Sequence, residues 1–173
     1  MSEELISGVE SVWDYPRPPD VVPTDEFVEI ETDGSLIAQS SNALRVRETS
    51  HPPTYYLPQS DFRTGVLVPV GGTTFCEFKG VAHYFDIAVP VDSQRGLTSR
   101  AKRSGARRAA WHYPQPTAGF EQLRGYVAVM PSAVDTCRVN GEVVVPQVGD
   151  FYGGWITSRV RGPFKGPPGT LGW

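Results

Sequence analysis

The stretch from Thr73 to Ile87, TTFCEFKGVAHYFDI, predicts two β-strands joined by a tight turn. β-branched and aromatic residues dominate both sides of Lys79–Gly80. The glycine can adopt the positive φ that a tight reversal needs. If Lys79–Gly80 is a two-residue loop, Cys76 lies directly opposite His83 in the neighbouring strand. We therefore expect a central hairpin that brings a thiol and an imidazole together.

The alternation of residues in the second strand predicts its two faces. Side chains two positions apart share a face of a strand. Val81, His83 and Phe85 would then face the core, whereas Ala82 and Tyr84 would face a more open side. This pattern places Cys76 and His83 on or near the core side.

Two further hairpins are predicted at Asp33–Gly34 and Asn140–Gly141, each flanked by alternating apolar residues. The chain contains 18 glycines and 16 prolines, which favour short elements joined by tight turns. We draw helices only near Ser60–Asp61 and at 120–123. The prediction is a mainly β protein with small antiparallel sheets and one or two short helices.

Three segments are expected along the 173 residues. Residues 1–25 contain four prolines and predict an extended arm without regular structure. Residues 26–146 would form a single β domain, and 95–108 a basic loop inserted in it. Residues 147–173, rich in glycine, proline and aromatic residues, predict a tail that wraps the domain or is buried in a second subunit. A homodimer is therefore one open alternative.

The net charge of −3 conceals an asymmetry between the two ends of the chain. Residues 1–35 hold ten acids and one base, so the rest of the chain is net basic. The strongest basic run is 95–108, with six bases and no aromatic residue to stack against a nucleobase. We therefore expect a solvated loop there and no nucleic-acid partner.

The sequence contains no apolar stretch of about 20 residues and no apolar segment near its start, so neither a membrane span nor a secretory signal is expected. The two cysteines, Cys76 and Cys137, are far apart and indicate free thiols in a cytoplasmic protein. Neither has a nearby cysteine with which to bind a metal ion. No metal site is predicted, and the cofactor is unknown.

A pocket with aromatic walls and cationic groups is the candidate site. Aromatic rings could stack on a planar ligand, while lysine and arginine would attract an anion. The alternatives are an ordinary aromatic core and ordinary surface ion pairs. The predicted ligand-binding residues are Arg45, Glu48, Tyr55, Lys79, Gly80, Tyr84, Trp111 and Tyr113, and Lys165 is a further cationic candidate.

Cys76, His83 and Glu48 are the weak candidates for catalysis. A thiol opposite an imidazole permits a thiolate–imidazolium pair, and the simpler alternative is a buried thiol beside a core histidine. Binding of a metal by Cys76, His83 and His112 is a third option that no spacing signature supports.

Several motifs run through nearly the whole chain in a fixed order: ESVWDYPRPP, ALRVRETSHPPTYYLP, TTFCEFKG, AAWHYPQP, LRGYVAVMP, GDFYGGWIT and GPFKGPPGT. By these motifs the chain resembles the bacterial domain-of-unknown-function family 427, which also carries a nucleotidyltransferase-like label. The resemblance implies a β-tent fold, in which two small antiparallel sheets lean together at a steep angle around a pocket. Similar β-tent proteins hold ligands in aromatic cages or use zinc on paired cysteines, and the zinc does not carry over because those pairs are absent.

The family brings no established activity with it. Nucleotidyl transfer needs a phosphate cradle and paired carboxylates for Mg²⁺, and the sequence shows neither GxxxxGK[ST] nor Asp-x-Asp. Our leading hypothesis is binding of a small molecule, expected to be anionic and planar, between the two sheets. The alternatives are an enzyme acting on a small metabolite through Cys76 or carboxylates, and an interaction module that pairs subunits through its arm and tail.

Overall fold

The computed structural model describes residues 8–89, 106–149 and 151–173. Within these ranges the chain forms fifteen strands and four single-turn 3₁₀ helices, the latter at Val12–Asp14, Gln59–Asp61, Glu121–Leu123 and Pro131–Ala133. The strands are β1 (Glu10–Ser11), β2 (Asp20–Pro23), β3 (Val28–Thr32), β4 (Ser35–Ser40), β5 (Leu44–Arg47), β6 (Thr54–Pro58), β7 (Leu67–Cys76), β8 (Gly80–Ile87), β9 (Ala106–His112), β10 (Tyr126–Val129), β11 (Thr136–Val139), β12 (Glu142–Val143), β13 (Val145–Pro146), β14 (Trp155–Ile156) and β15 (Val160–Arg161).

Two antiparallel sheets make up most of the fold. The larger has seven strands in the order β2-β5-β6-β10-β9-β8-β7, and the smaller has four in the order β12-β11-β3-β4. Two short pairs, β13 with β14 and β1 with β15, complete the described pairing. The prediction of a mainly β protein with antiparallel sheets is confirmed. The steep angle between the sheets stays a prediction. Both predicted short helices are present as single 3₁₀ turns, at Gln59–Asp61 and Glu121–Leu123, and the described residues contain two further turns of this kind.

The hairpins at Asp33–Gly34 and Asn140–Gly141 form as predicted. Both residues of each turn have positive φ, at 51° and 75° in the first turn and 50° and 83° in the second. This is the backbone that two-residue hairpin loops require, and asparagine, aspartate and glycine adopt it with the least strain. The four-stranded sheet therefore owes both its hairpins to local turn chemistry.

The central hairpin has a different register from the predicted one. Cys76 pairs with Gly80, and Thr73 lies opposite His83, so the expected pairing of Cys76 with His83 is wrong. The loop is three residues long, 77–79. A contact from elsewhere in the chain holds it, because the backbone N–H of Thr117 donates to the Lys79 carbonyl at 3.0 Å. Local turn preferences contain no information about that contact.

The main core fills the space between the two sheets. Its largest side chains are fully buried, including Ile30 and Ile37 from the smaller sheet and Tyr55 and Leu57 from the larger one. Trp155 of the C-terminal segment lies in the same core, with no exposed surface. Burial of apolar area on this scale is the dominant favourable contribution to folding.

The arm is partly regular, contrary to expectation. Asp20–Pro23 forms β2 and pairs with β5 at the edge of the larger sheet. An edge strand tolerates proline because its outward N–H positions need no partner strand, which explains how this proline-rich segment can join a sheet. Nearer the N-terminus, Val12 and Tyr15 are buried against Val160 of the C-terminal segment.

The C-terminal segment packs against the body of its own chain. The backbone N–H of Trp155 donates to the Pro53 carbonyl at 2.8 Å, and that of Lys165 donates to the Ser50 carbonyl at 2.8 Å. Strand β15 pairs in parallel with β1, which joins the two ends of the chain. Residues 151–153 and Lys165 thereby lie beside the face of the larger sheet that is turned away from the main core, whereas Trp155 is buried in that core.

Most of the basic run at 95–108 lies outside the described residues. Its last part, with Arg107 and Arg108, belongs to β9 and is therefore strand, not loop. Among the residues that the structure describes, no helix has the length and apolar character needed to cross a membrane.

Candidate ligand-binding cleft

A cleft of about 650 Å³ lies on the face of the seven-stranded sheet that is turned away from the main core. Its floor comes from alternate residues of β5, β6, β8 and β9, and its far wall comes from the C-terminal segment. No described residue of the four-stranded sheet lines it, so the expected position between the two sheets is wrong. The lining residues are Val46, Glu48, His51, Pro52, Thr54, Tyr56, Thr74, Phe75, Cys76, Glu77, Phe78, Lys79, Tyr84, Arg108, Trp111, Tyr113, Met130, Gln147, Phe151, Tyr152, Gly153 and Lys165.

Aromatic rings form much of the floor. The indole N–H of Trp111 donates to the Tyr56 hydroxyl at 3.3 Å, and the Tyr56 ring lies 6.5 Å from that of Tyr113. The Tyr84 hydroxyl hydrogen bonds to Thr74 at 2.7 Å. Because these hydrogen bonds hold the rings in place, the floor presents preorganised aromatic surfaces. The predicted faces of Tyr84, Trp111 and Tyr113 agree with this arrangement.

Lys79 brings a positive charge to the cleft from the hairpin loop. Its Nζ lies 5.7 Å from the centre of the Tyr113 ring. Partial burial on its own would lower the pKa of this ammonium, but interactions with Tyr56, Cys76 and the Glu48 carboxylate outweigh it, and the pKa is raised. Lys79 is therefore fully protonated at neutral pH.

Lys165 brings a second positive charge from the C-terminal segment. Its Nζ lies 5.3 Å from the centre of the Tyr152 ring. Its backbone is anchored on both sides, since its N–H donates to the Ser50 carbonyl and its carbonyl accepts from the Gln147 amide at 2.7 Å. Within the described parts of the chain, neither Lys79 nor Lys165 forms a salt bridge.

Two carboxylates, Glu48 and Glu77, line the cleft among the described residues, and Glu48 is paired with a cation from the N-terminal arm. Glu48 lies 3.1 Å from Nε of Arg17, and the same guanidinium donates to the Thr49 carbonyl at 2.7 Å. The N-terminal arm thus supplies the partner of the predicted site residue Glu48. As a result, the Glu48 carboxylate is held by Arg17, and the two lysines are left available to a ligand.

His51 lies at the foot of the cleft and is only 8% exposed. Its Nδ1 lies 2.9 Å from the Thr49 carbonyl oxygen, and its ring meets the Tyr152 ring edge-on at 4.9 Å. A carbonyl oxygen only accepts, so Nδ1 carries the hydrogen. Burial lowers the pKa of His51 and outweighs the Thr49 carbonyl and the Glu48 carboxylate, which raise it. The imidazole is therefore neutral at pH 7.

Two glycines let the C-terminal segment close against the floor. A Cβ on Gly153 would lie 2.4 Å from the Trp111 ring. A Cβ on Gly154 would lie 2.7 Å from Pro52, and the Gly154 N–H donates to the buried side chain of Gln147 at 3.0 Å. The sequence GDFYGGW thus contains the small residues that allow backbone to pack directly on indole.

Three predicted site residues do not reach the cleft. Arg45 is 1% exposed on the opposite face of the sheet, where its guanidinium holds Glu10 at 2.9 Å and lies 5.8 Å from the centre of the Tyr55 ring. Tyr55 itself packs on Trp155 in the main core. Gly80 is buried against the 115–117 backbone. Their predicted place in the pocket is therefore wrong.

The catalytic candidates are separated. Cys76 is half-buried and lines the cleft, whereas His83 is exposed, does not line it, and has its ring 6.0 Å from that of His112. His83 was expected on the core side and is not. In the described portion of the chain, no group of three or more histidine, cysteine or acidic residues could hold a metal ion.

Sequence reasoning overlooked Tyr56, Tyr152 and His51. For Tyr56 a signal was present, because neighbours in a strand face opposite sides, so Tyr55 and Tyr56 could not both line one pocket. Pairing of Leu44 with Tyr56 places that ring on the cleft side. The other two residues lie in loops, where no periodicity indicates direction.

Comparison with known proteins agrees with the motif resemblance. A family model described as a domain of unknown function, DUF427, matches residues 20–140. The match begins at β2 and ends in the β11–β12 turn, so it spans both large sheets and most of the cleft floor. No curated protein matches the chain. Because the match extends over most of its length, the chain belongs to the domain-of-unknown-function family 427.

Proposed function

We propose that the cleft binds a small planar anion. The observation that carries this proposal is the presence of two ammonium groups, Lys79 and Lys165, in one aromatic-walled cleft without a carboxylate partner among the described residues. The carboxylate of an anionic ligand could form charge-assisted hydrogen bonds with these two ammonium groups. By contrast, three arginines near the arm already form salt bridges with carboxylates of the protein. These pairs are Arg17–Glu48, Arg45–Glu10 and Arg47–Asp20.

The size and the walls of the cleft favour a ring system. A volume of about 650 Å³ lies within the range of about 300–1,000 Å³ that is typical of small-molecule sites. Trp111 offers an aromatic surface along the floor, beside Tyr84, whose ring centre lies 4.4 Å from the Arg108 guanidinium. Aromatic stacking adds about 0.5–1.5 kcal/mol beyond area burial. A flat ligand with one anionic end would use both the rings and the lysines.

Calorimetric titration with naphthalene-2-carboxylate and with naphthalene-2-carboxamide tests this proposal. The two molecules share shape and differ in charge, so we expect the carboxylate to bind at least about tenfold more tightly, a difference of about 1.4 kcal/mol. Lys79→Ala should remove most of this preference, and Trp111→Ala should weaken both ligands. Arg63→Ala, which removes a positive charge from an exposed residue outside the cleft, is the control. Equal binding of both molecules, or no binding at millimolar concentration, would contradict the proposal.

A second candidate function is thiol chemistry at Cys76. The observation that favours it is that the half-buried thiol of Cys76 lines the cleft together with the ammonium group of Lys79. Alkylation by iodoacetamide at pH 7, followed by peptide mass spectrometry, tests it. Rapid labelling that Lys79→Ala slows severalfold would support an enzyme, and labelling at the rate of a free thiol in a peptide would count against it.

We infer a cytoplasmic location, which the two free thiols Cys76 and Cys137 support. Pairing of subunits through the arm and the tail is less favoured than ligand binding, because both segments are packed on their own chain. Sedimentation at micromolar concentrations tests this ordering. A dimer that dissociates when residues 147–173 are deleted would reverse it.

A further inference from the structure

His51 is a neutral imidazole whose orientation is fixed by its surroundings. The Nδ1–H group donates to the Thr49 carbonyl at 2.9 Å, and the Tyr152 ring packs edge-on against the imidazole at 4.9 Å. When Nδ1 carries the hydrogen, the other nitrogen, Nε2, carries a lone pair and can only accept. The backbone thus selects the tautomer, as it does for histidines at many functional sites.

The accepting nitrogen of His51 has no hydrogen-bond partner among the described residues. No described group hydrogen bonds to Nε2, and this atom is not among the buried polar atoms that lack a partner, so it retains contact with open space. The ring is one of the residues that line the cleft, and the residue as a whole is only 8% exposed. We therefore infer that Nε2 is exposed to the cleft.

The charged groups near His51 have opposite effects on its protonation. Lys165 and Arg17 lie close enough to disfavour protonation of the imidazole, and Glu48 favours it, although Glu48 is already paired with Arg17. Lys165 lines the same cleft as His51. An acceptor and an ammonium group in one cleft are suited to a ligand that has a hydrogen-bond donor as well as an anionic group.

Building on the proposed function, we propose that His51 Nε2 accepts a hydrogen bond from a ring N–H of the ligand, so that the cleft selects planar anions that carry such a donor. The lysines recognise the charge, the aromatic floor recognises the flat ring, and His51 recognises the N–H group. A buried acceptor left without a donor costs free energy, so a ligand of the same shape without the N–H is disfavoured. The class of ligand is thus narrowed to anionic nitrogen heterocycles with a ring N–H.

A matched pair of ligands tests this inference. Indole-2-carboxylate and benzofuran-2-carboxylate share shape and charge, and only the first has a ring N–H. By isothermal titration calorimetry at pH 7.5 we expect the wild-type protein to bind the indole acid about fivefold or more tightly than the benzofuran acid, as one net hydrogen bond implies. In His51→Phe the two affinities should become equal, because the acceptor that distinguishes the two acids is gone.

The outcomes separate this inference from the proposed function. If the wild-type protein binds both acids equally, His51 does not recognise the ring N–H of the ligand. The proposed binding of planar anions would still stand. If neither acid binds at millimolar concentration, the proposed function fails and the inference fails with it. A preference for the indole acid that persists in His51→Phe would place the acceptor elsewhere and overturn the assignment.

Nitrogen NMR of the wild-type side chains gives a second test that does not depend on the variant folding. The free protein should show His51 protonated at Nδ1 and unprotonated at Nε2. Addition of indole-2-carboxylate should shift the Nε2 resonance in the direction of an accepted hydrogen bond, and benzofuran-2-carboxylate should not. An Nε2 resonance that responds equally to both acids, or to neither, contradicts the proposal.

Discussion

The two faces of the seven-stranded sheet are built from the same strands and have opposite characters. On the inner face, Arg45 is 1% exposed and its charge is held by Glu10. On the outer face, Lys79 and Lys165 are half-buried and have no carboxylate partner in the described chain. The inner face also contains tightly packed Tyr55 and the outer face an open cleft. The difference separates charges that serve stability from charges that are available to a ligand.

The inner ion pair is part of a network that fastens both ends of the chain. Glu10, from the arm, meets Arg45 and also lies 3.2 Å from Arg159 of the C-terminal segment. Arg159 in turn lies 3.0 Å from Glu26, which accepts a hydrogen bond from Tyr55 at 2.8 Å. The C-terminal segment is also one wall of the cleft. The ion pairs of Arg159 therefore help to hold that wall in position.

The two faces should respond differently to loss of a tryptophan. Trp155→Ala in the inner core should lower the free energy of unfolding by about 3–5 kcal/mol, because a fully buried indole leaves a cavity. Trp111→Ala on the half-exposed outer face should cost about 1–2 kcal/mol and mainly weaken ligand binding. Urea unfolding and calorimetry on the same two variants measure both effects. Equal losses of stability would contradict the distinction between the faces.

Removal of a cation should also separate the inner face from the surface. Arg45→Ala leaves the Glu10 carboxylate without its main partner, and we expect a loss of about 3 kcal/mol. Arg138→Ala is the matched control, since its pair with Glu31 is partly exposed and should contribute about 0–1 kcal/mol. Urea unfolding measures both, and similar losses would mean that burial does not decide the value of these pairs.

A single methyl group at the outer wall should disturb the cleft. In Gly153→Ala the new Cβ would lie 2.4 Å from Trp111, so the ring or the tail must move, at a cost of about 1–3 kcal/mol. Gly71→Ala is the control, because no atom lies within 4 Å of its Cβ position. Weaker binding of naphthalene-2-carboxylate to the first variant only is the expected calorimetric result. Unchanged binding would show that contact between the C-terminal segment and Trp111 is not needed.

The two faces should lose their contributions to stability over different pH ranges. On the outer face, burial lowers the pKa of His51 below its ordinary value of 6.5. The unfolded chain therefore takes up this proton at a higher pH than the folded protein does. As a result, the free energy of unfolding decreases as pH falls below about 6.5. On the inner face, burial alone would raise the pKa of Glu10, but hydrogen bonds from Arg45 and Tyr15 lower it to about 2. That contribution is present above 4.5 and is lost as pH falls toward 2.

Urea unfolding at a series of pH values measures these two ranges. His51→Phe should reduce the dependence below pH 6.5, to which His112 also contributes, and Glu10→Gln should reduce the one below pH 4.5, to which Glu26 also contributes. Each variant should leave the other range unchanged, because the two groups lie on opposite faces of the sheet. A variant that flattens both ranges would show that the groups are coupled.

Local sequence patterns were sufficient for much of the fold. Asp33–Gly34 and Asn140–Gly141 specify their hairpins because both turn residues need positive φ. Alternation in β9 placed Trp111 and Tyr113 on one face, where both line the cleft. These features depend on neighbours in sequence, so the sequence is enough to predict them.

Patterns failed where distant contacts decide the geometry. The backbone N–H of Thr117 holds the 77–79 loop, and the register of the central hairpin differs from the predicted one by three residues, which separates Cys76 from His83. Ala82 and Tyr84 of β8, which were expected to face an open side, pack with other residues of the outer face. His83, which was expected to face the core, is exposed. Neither shift has a local cause that the sequence could reveal.

By itself, the sequence determined a mainly β chain of short strands and the family to which it belongs, because turn residues, alternation and motif order are local and additive. Tertiary structure alone decided which face of the larger sheet is filled and which is open. It placed Lys165 and His51 beside Lys79 although they lie far apart in the chain. The physical reason is that a side chain is committed to core or cleft by what packs over it, here the four-stranded sheet on one face and the C-terminal segment on the other.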